Sequence, residues 1–514
     1  MKKQFVIHPF LFAVFHILHL WLHNIDEVPF SDISIVIGSV LSITAILLLL
    51  FTVILKDIKK AGVVVSILLI AFFSYGHFYN IINELKIIGF AIGRHRFLVP
   101  IWCILIICSG YFVCFRIQKN RYFGHITFFL NTIAVLLVVM PLINISVYVS
   151  KNRVPWEHTK GIMNYDARVI STKDVGDTLP DIYYIILDGY ASSSTLETIY
   201  NYDNREFTNY LERKGFFIAS KSRSNYTMTF LSLASSLNME YVNYLNNEIG
   251  ADRKDRRLPY QIIKKSKVMS FLKSKGYKCI NFSSGWGPTN YNNHADINLC
   301  GRRSELSFLL IQSTMLAPLE RLFINDAKEK ILCTFSKLAE IHKIEGPKFI
   351  FAHITCPHPP FIFGRNGEVV TGTQYDLGNN DWAQKEKYLS QLSFISEKTK
   401  AVVDELLSKS KGPPIIILQA DHGPAATFYP PYECGWDHPT EINFRERLTI
   451  LNAYYLPSGG NSLLYDTISP VNTFRVILNY YFHTNYKLLD DKSYYSNYEK
   501  PYLFSDVTSR INKE

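Results

Sequence analysis

Five apolar runs follow one another in the first 150 residues, and they constrain the fold more than any other feature of the chain. They cover about 5–23, 33–55, 62–80, 97–115 and 125–149. Each approaches the ~20 residues a helix needs to cross a bilayer. The expected architecture is a five-span helical bundle over 1–150, a linker over 151–179 and an extracytoplasmic domain over 180–514. No cleaved signal peptide is expected, because the runs continue one after another. Lys2, Lys3, Lys56, Lys59, Lys60, Arg116, Lys119 and Arg121 fall on one set of connections; Lys86, Arg94 and Arg96 fall on the other. That bias places the amino terminus in the cytoplasm and residues after the fifth span outside. His16, His19 and His23 share a helical face at the end of the first run. They suit either a metal or proton path or packing within the bundle.

The remaining residues read as a globular domain. The net charge of +10 is spread along the 514 residues. No dense Lys/Arg tract or Cys/His finger spacing occurs, so a nucleic-acid partner is not expected. Cys103, Cys108 and Cys114 lie in one apolar run. Cys279, Cys300, Cys333, Cys356 and Cys434 are scattered without a CxxC. An oxidising compartment would allow one or two disulfides of unspecified pairing.

Short apolar runs alternate with helical patterns after residue 180. In PDIYYIILDGYA (180–191), the apolar run Ile182–Leu187 reads as a buried strand ending at Asp188-Gly189. Further strands are expected at Phe216–Ala219, YKCINF, Lys348–Ile354, 414–420 and 449–456, with helices over 224–239, 267–276, 303–345, 384–409 and 469–482. Strands separated by helices indicate an α/β fold with a mainly parallel sheet.

Chemistry in such sheets gathers beyond the carboxyl ends of the strands. Asp188 ends one strand, His353 and His358 end another, and Asp421-His422 end a third. Two Asp, a His and an oxygen nucleophile form a donor set for a divalent metal, with zinc ahead of manganese or calcium. Thr227 and Thr229 lie at the start of the 224–239 helix, where free N–H groups and the dipole stabilise an anion. Thr227 is the expected nucleophile, as the residue nearer the first turn.

These motifs resemble the alkaline phosphatase/sulfatase superfamily. The residues that carry the resemblance are PDIYYIILDGY, TMTFLSLASSLN, the PHPP turn and ADHG. Membrane spans followed by such a domain look like lipoteichoic acid synthases and lipid A phosphoethanolamine transferases. The resemblance implies an α-helical transmembrane bundle followed by an alkaline-phosphatase-like (sulfatase-like) α/β domain. It implies metal ligands Asp188, Thr227, Asp421 and His422, with Thr227 as the catalytic nucleophile. It also implies substrate contacts by His358 and by His438 in GWDHPT. The C/S-x-P-x-R motif of formylglycine sulfatases has no counterpart, since the run reads TMTFL.

The implied reaction moves a phospho-group, phosphoglycerol or phosphoethanolamine, from a phospholipid donor to a glycan or glycolipid acceptor through phospho-threonine. The alternatives are a sulfuric ester or phosphodiester hydrolase with the same site, and a non-enzymatic glycan-binding protein. The implied location is a bacterial inner membrane, with the domain facing the periplasm or cell exterior.

Overall fold

A computed structural model describes residues 5–25, 30–82, 94–117, 120–151, 179–301, 305–368, 382–430 and 435–511, with a few positions between them. The 152–178 linker and Cys434 lie outside the described residues. The chain forms two units, one of residues 1–153 with 305–323, the other of 154–304 with 324–514.

The first unit is helical: α1 (His8–His23), α2 (Phe30–Leu55), α3 (Ile58–Ile82), α4 (His95–Tyr111) and α5 (Asn120–Lys151). Among the described residues, four of its segments are long and apolar enough to cross a membrane: Ile33–Leu55, Ile58–Ile82, His95–Arg116 and Tyr122–Ser150. The expectation of five spans is corrected here. The first run yields a helix of 16 residues, about 24 Å at 1.5 Å per residue, against a hydrocarbon core of ~30 Å. Helix α1 instead buries Phe12, Ala13, His16, Ile17 and Trp21. The correction also changes the charge argument. Four spans put both ends of the bundle on one side, so Lys2 and Lys3 join Lys86, Arg94 and Arg96, the bias falls to six basic residues against five, and the amino terminus no longer reads as cytoplasmic.

The second unit is built on a seven-stranded sheet: β1 (Ile182–Leu187), β2 (Phe217–Ile218), β3 (Lys278–Phe282), β4 (Ile297–Leu299), β5 (Lys348–Ile354), β6 (Ile415–Gln419) and β7 (Asn452–Tyr455). The spatial order is β2-β7-β6-β1-β5-β3-β4. Strands β6, β1, β5, β3 and β4 are mutually parallel, while β7 pairs antiparallel with β6 and β2. Every residue of β1 is buried, and its two faces belong to two separate hydrophobic clusters. This is why the strand reads as an unbroken apolar run rather than an alternating one. At ~25 cal/mol per Å² of apolar surface, a fully buried Ile contributes roughly 2–3 kcal/mol. Substituting a charge in β1 would therefore break the sheet at its centre.

Register then sets the chemistry. Ile186 lies opposite His353 of β5 and opposite Gln419 of β6. Two residues further on, Asp188 and Asp421 leave the sheet abreast of each other. Cys300 and Cys333 form a disulfide across 33 residues, which resolves the pairing left open by the sequence.

Candidate metal and nucleophile site

Four segments deliver polar side chains to the carboxyl edge of β1, β5 and β6. Asp188 follows β1 and is fixed by its own backbone, its N–H donating to Ile354 O and its carbonyl accepting from His358 N–H, both at 3.0 Å. Asp421 and His422 follow β6, and Gly189 N–H donates to Asp421 Oδ1 at 3.3 Å. His353 lies on β5, between Thr289 Oγ1 at 2.8 Å and Asp188 Oδ2 at 3.1 Å. One ligand atom each from Asp188, His353 and Asp421 fall within 4.8 Å of one another, and all three residues are buried.

The fourth segment carries the threonines. Helix α6 runs Thr229–Asn238 and begins five residues later than the sequence suggests. Met228 is extended at φ −123°, ψ 137°. The residues before it are pulled out of the helix by side-chain bonds. Ser224 Oγ donates to Asp421 O, and Asn225 Nδ2 donates to Lys492 O at 2.9 Å. Ser, Asn and Thr compete in this way with helical hydrogen bonding.

Thr227 therefore does not occupy the place expected for it. Its Oγ1 donates to Ser496 O at 2.8 Å, and its carbonyl accepts from Arg447 Nε at 2.8 Å. Thr229 opens the helix instead, with Oγ1 at 3.0 Å from His422 Nε2. The dipole argument used for Thr227 applies to Thr229 once the true helix start is known. His438 is also displaced from the expected site: it sits exposed in a turn, its N–H bonded to Gly435 O. Trp436 of that turn reaches inward, with its ring 5.5 Å from the Arg447 guanidinium.

Charge and tautomer define what the cluster can hold. His422 Nδ1–H donates to Gly423 O at 2.9 Å, which leaves the Nε2 lone pair facing the site. Burial, then the Arg447 charge, depress its pKa well below the ordinary value, so the imidazole is neutral. That lone pair lies 3.2 Å from Asp421 Oδ2 and 3.7 Å from Asp188 Oδ1. Both of these buried carboxylate oxygens lack a hydrogen-bond partner. Electron-rich atoms converging in this way are balanced by a proton or by a cation. Ligands bound at 2.0–2.2 Å on a tetrahedron stand about 3.3–3.6 Å apart. The 3.0, 3.2 and 3.7 Å separations around His422 Nε2 bracket that range, as the donors of a divalent-cation site would.

The two carboxylates are driven apart in pKa. Burial pushes Asp188 up, but His358, His353 and His422 outweigh it and hold the group below the usual carboxylate range. Burial and then the Asp188 charge push Asp421 well above that range. His358 is half-buried beside them. Its Nδ1–H donates to Pro359 O at 2.6 Å, so Nε2 is available. Burial lowers its pKa, against the opposing pull of Asp188.

Sequence reasoning missed Arg447. It is 1% exposed. Besides the Thr227 carbonyl, it donates from Nη1 to Gly423 O at 2.8 Å, while Gly423 N–H donates back to Arg447 O at 2.7 Å. One side chain thus ties the threonine loop to the Asp421-His422 loop. In the sequence it is one more charge in the helix Glu441–Leu448, with no local signal to separate it from surface residues. His353 was visible as a strand-end residue, but the resemblance assigned it no role.

A family model described as Sulfatase matches residues 180–456. Among solved structures, the zinc complex of the C-terminal periplasmic domain of EcEptC from Escherichia coli is similar at 13% identity, covering 65% of this chain and 94% of that one with a TM-score of 0.45. The C-terminal periplasmic domain of phosphoethanolamine transferase EptC from Campylobacter jejuni is similar at 13% identity over 62% and 94% of the two chains, TM-score 0.38. The integral membrane protein lipooligosaccharide phosphoethanolamine transferase A from Neisseria meningitidis is similar at 10% identity over 92% and 93%, TM-score 0.39. A search of curated proteins finds no match.

Proposed function

The chain belongs to the sulfatase family, and from that premise we propose that it is a metal-dependent transferase moving a phospho-group from a membrane lipid to an extracytoplasmic glycan hydroxyl. The observation that carries this reading is Thr229 Oγ1, 3.0 Å from the neutral His422 Nε2 and at the first residue of α6. A threonine cannot become formylglycine, so the nucleophile available at this position is its own hydroxyl. Asp188, Asp421, His422 and Thr229 would hold the cation, with His353 orienting Asp188. When bound, a divalent cation would lower the pKa of the Thr229 hydroxyl and offset charge on the phosphoryl oxygens.

The residues of the chain do the rest. Thr229 Oγ forms a bond to phosphorus, and the bond from phosphorus to the diacylglycerol oxygen breaks. Diacylglycerol and phospho-Thr229 result. An acceptor hydroxyl then bonds to phosphorus, the Thr229 oxygen leaves, and Thr229 regains a proton. His358, whose ring lies 6.2 Å from that of His422, would relay the proton between the two oxygens through Nε2. The free N–H groups at the start of α6 stabilise the charged intermediate. In this reading the spanning helices hold the enzyme in a bacterial inner membrane, with the site outside the cytoplasm, where lipid donors such as phosphatidylglycerol or phosphatidylethanolamine are at hand; the helices long and apolar enough to cross a bilayer support it.

Intact-mass analysis of the full chain after incubation with each lipid tests this. The expected result is a headgroup-phosphate adduct on Thr229, absent in Thr229→Ala and retained in Thr227→Ala. An adduct on Thr227, or phosphodiester turnover that persists in Thr229→Ala, would overturn the assignment. Release of the headgroup phosphate at an undiminished rate without any acceptor would favour hydrolysis over transfer.

A further inference from the structure

The chain enters the bundle unit twice. Residues 305–323 group with residues 1–153, although the residues on both sides of them belong to the unit that carries the site. Their sequence explains why: α7 (Glu305–Gln312) reads ELSFLLIQ and continues into STMLAPL, an apolar stretch with one charge at its start.

The seat of this excursion is specific. Met315 N–H donates to Phe72 O at 2.9 Å, and Gly76 N–H donates to Ser313 O at 3.2 Å. Phe72 and Gly76 are the i and i+4 positions whose carbonyl and N–H a regular helix joins to each other. The segment therefore bonds to the backbone of α3 rather than merely lying on its side chains. Gly76 is what allows the approach. A Cβ there would meet Gln312 O at 2.0 Å and Ser313 Cα at 2.6 Å. From α1, His16 Nε2 lies 3.0 Å from Ser313 Oγ. Ala317 joins Tyr75 and Leu98 in a small buried cluster. In an apolar surrounding, such backbone bonds have no competing water. At the neck of the excursion, Cys300 before it and Cys333 after it are joined by the disulfide.

We propose that residues 305–319 are a built-in membrane clamp that makes the enzyme selective for phosphodiesters presented in the bilayer of its own bundle. The proposal rests on the transferase reading of the site. The clamp acts by effective concentration: a second attachment of the catalytic chain to the bundle raises encounters with bilayer lipid and adds nothing for a soluble phosphodiester. The disulfide fixes the length of chain available to the excursion.

The full chain in proteoliposomes is assayed with two donors, phosphatidylethanolamine in the vesicle and soluble bis(4-nitrophenyl) phosphate. For Gly76→Val the expected result is at least a tenfold fall in lipid turnover, with soluble-donor turnover within twofold of the parent. Equal falls on both donors, or a fall on neither, would overturn the clamp. A parent inert toward both donors would overturn the transferase reading and the clamp's role with it. The seat is read separately, without activity, in a His16→Cys/Ser313→Cys chain. Mass spectrometry should find the two peptides joined by a disulfide, and their absence would sink the proposal whatever the kinetics show.

Discussion

Thr229 Oγ1 stands 3.0 Å from His422 Nε2, while Thr227, two residues earlier, has its hydroxyl on the Ser496 carbonyl. The two threonines thus have separable roles. Thr229→Ala should lower turnover by at least about a thousandfold, because the attacking oxygen is gone. Its effect on stability should be small. Thr227→Ala should do the reverse, keeping most of the turnover and costing about 1–2 kcal/mol for a buried carbonyl left unpaired. Paired turnover and thermal-unfolding measurements on both variants check this. A dead Thr227→Ala with unchanged stability would contradict it.

Metal affinity should weaken on acidification. Asp421 carries a raised pKa because of burial and the neighbouring Asp188 charge. A group raised in this way stabilises the metal-free fold below the ordinary carboxylate range. That contribution is lost as pH rises through its raised value. A cation replaces the proton, so below that value each binding event releases one, and affinity should fall by about tenfold per pH unit. The shift in unfolding temperature on adding zinc should grow with pH over the same window. Asp188 is depressed instead and stays ionised there. Titrating zinc into the chelator-treated full chain at several pH values measures the slope, and a flat profile would contradict the argument.

What was legible in the sequence follows from where information is local. Ile182–Leu187 and Lys348–Ile354 match their expected limits, because strands buried on both faces must be continuous apolar runs. The strand-end residues Asp188, His353, Asp421 and His422 came together because parallel register sets their carboxyl ends abreast. The start of α6 was not legible. It is decided by bonds from Ser224, Asn225 and Thr227 to residues nearly 200 or more positions away. Arg447 was hidden for the same reason, since its partners are Thr227 and Gly423. Helix α1 misled because hydropathy does not reveal that a run ends in 16 helical residues. The excursion 305–323 misled because an apolar helix reads alike whether it packs on a sheet or in a bundle.

Gly423 is required by packing rather than by conformation. A Cβ there would lie 2.0 Å from Glu446 O, a backbone atom that cannot swing aside. Gly423→Ala should therefore force apart the Asp421-His422 loop and the helix Glu441–Leu448. A cost of about 2–4 kcal/mol is expected, on the scale of severe overpacking. Zinc affinity should fall with it, since His422 is oriented by the Gly423 carbonyl. Calorimetric titration beside a thermal melt would show both effects. Unchanged affinity in a destabilised variant would mean that the loop keeps its ligand geometry without Gly423.

Arg447 offers the clearest separation of positioning from stability. Its guanidinium bonds the Thr227 and Gly423 carbonyls, and Nη2 has no hydrogen-bond partner. Arg447→Met keeps much of the volume but leaves the Thr227 carbonyl unpaired and the Gly423 carbonyl with His422 alone, a loss of about 1–3 kcal/mol for one buried unpaired group. Arg447→Lys retains the charge, yet a single ammonium on a flexible stem cannot reproduce the planar fork. Both variants should slow phospho-Thr229 formation per competent site, with Lys the less affected. Burst amplitude counts competent sites and the burst rate reports their chemistry. A purely structural residue would lower the amplitude and leave the rate alone, whereas loss of the clamp between the threonine loop and the Asp421-His422 loop should lower the rate.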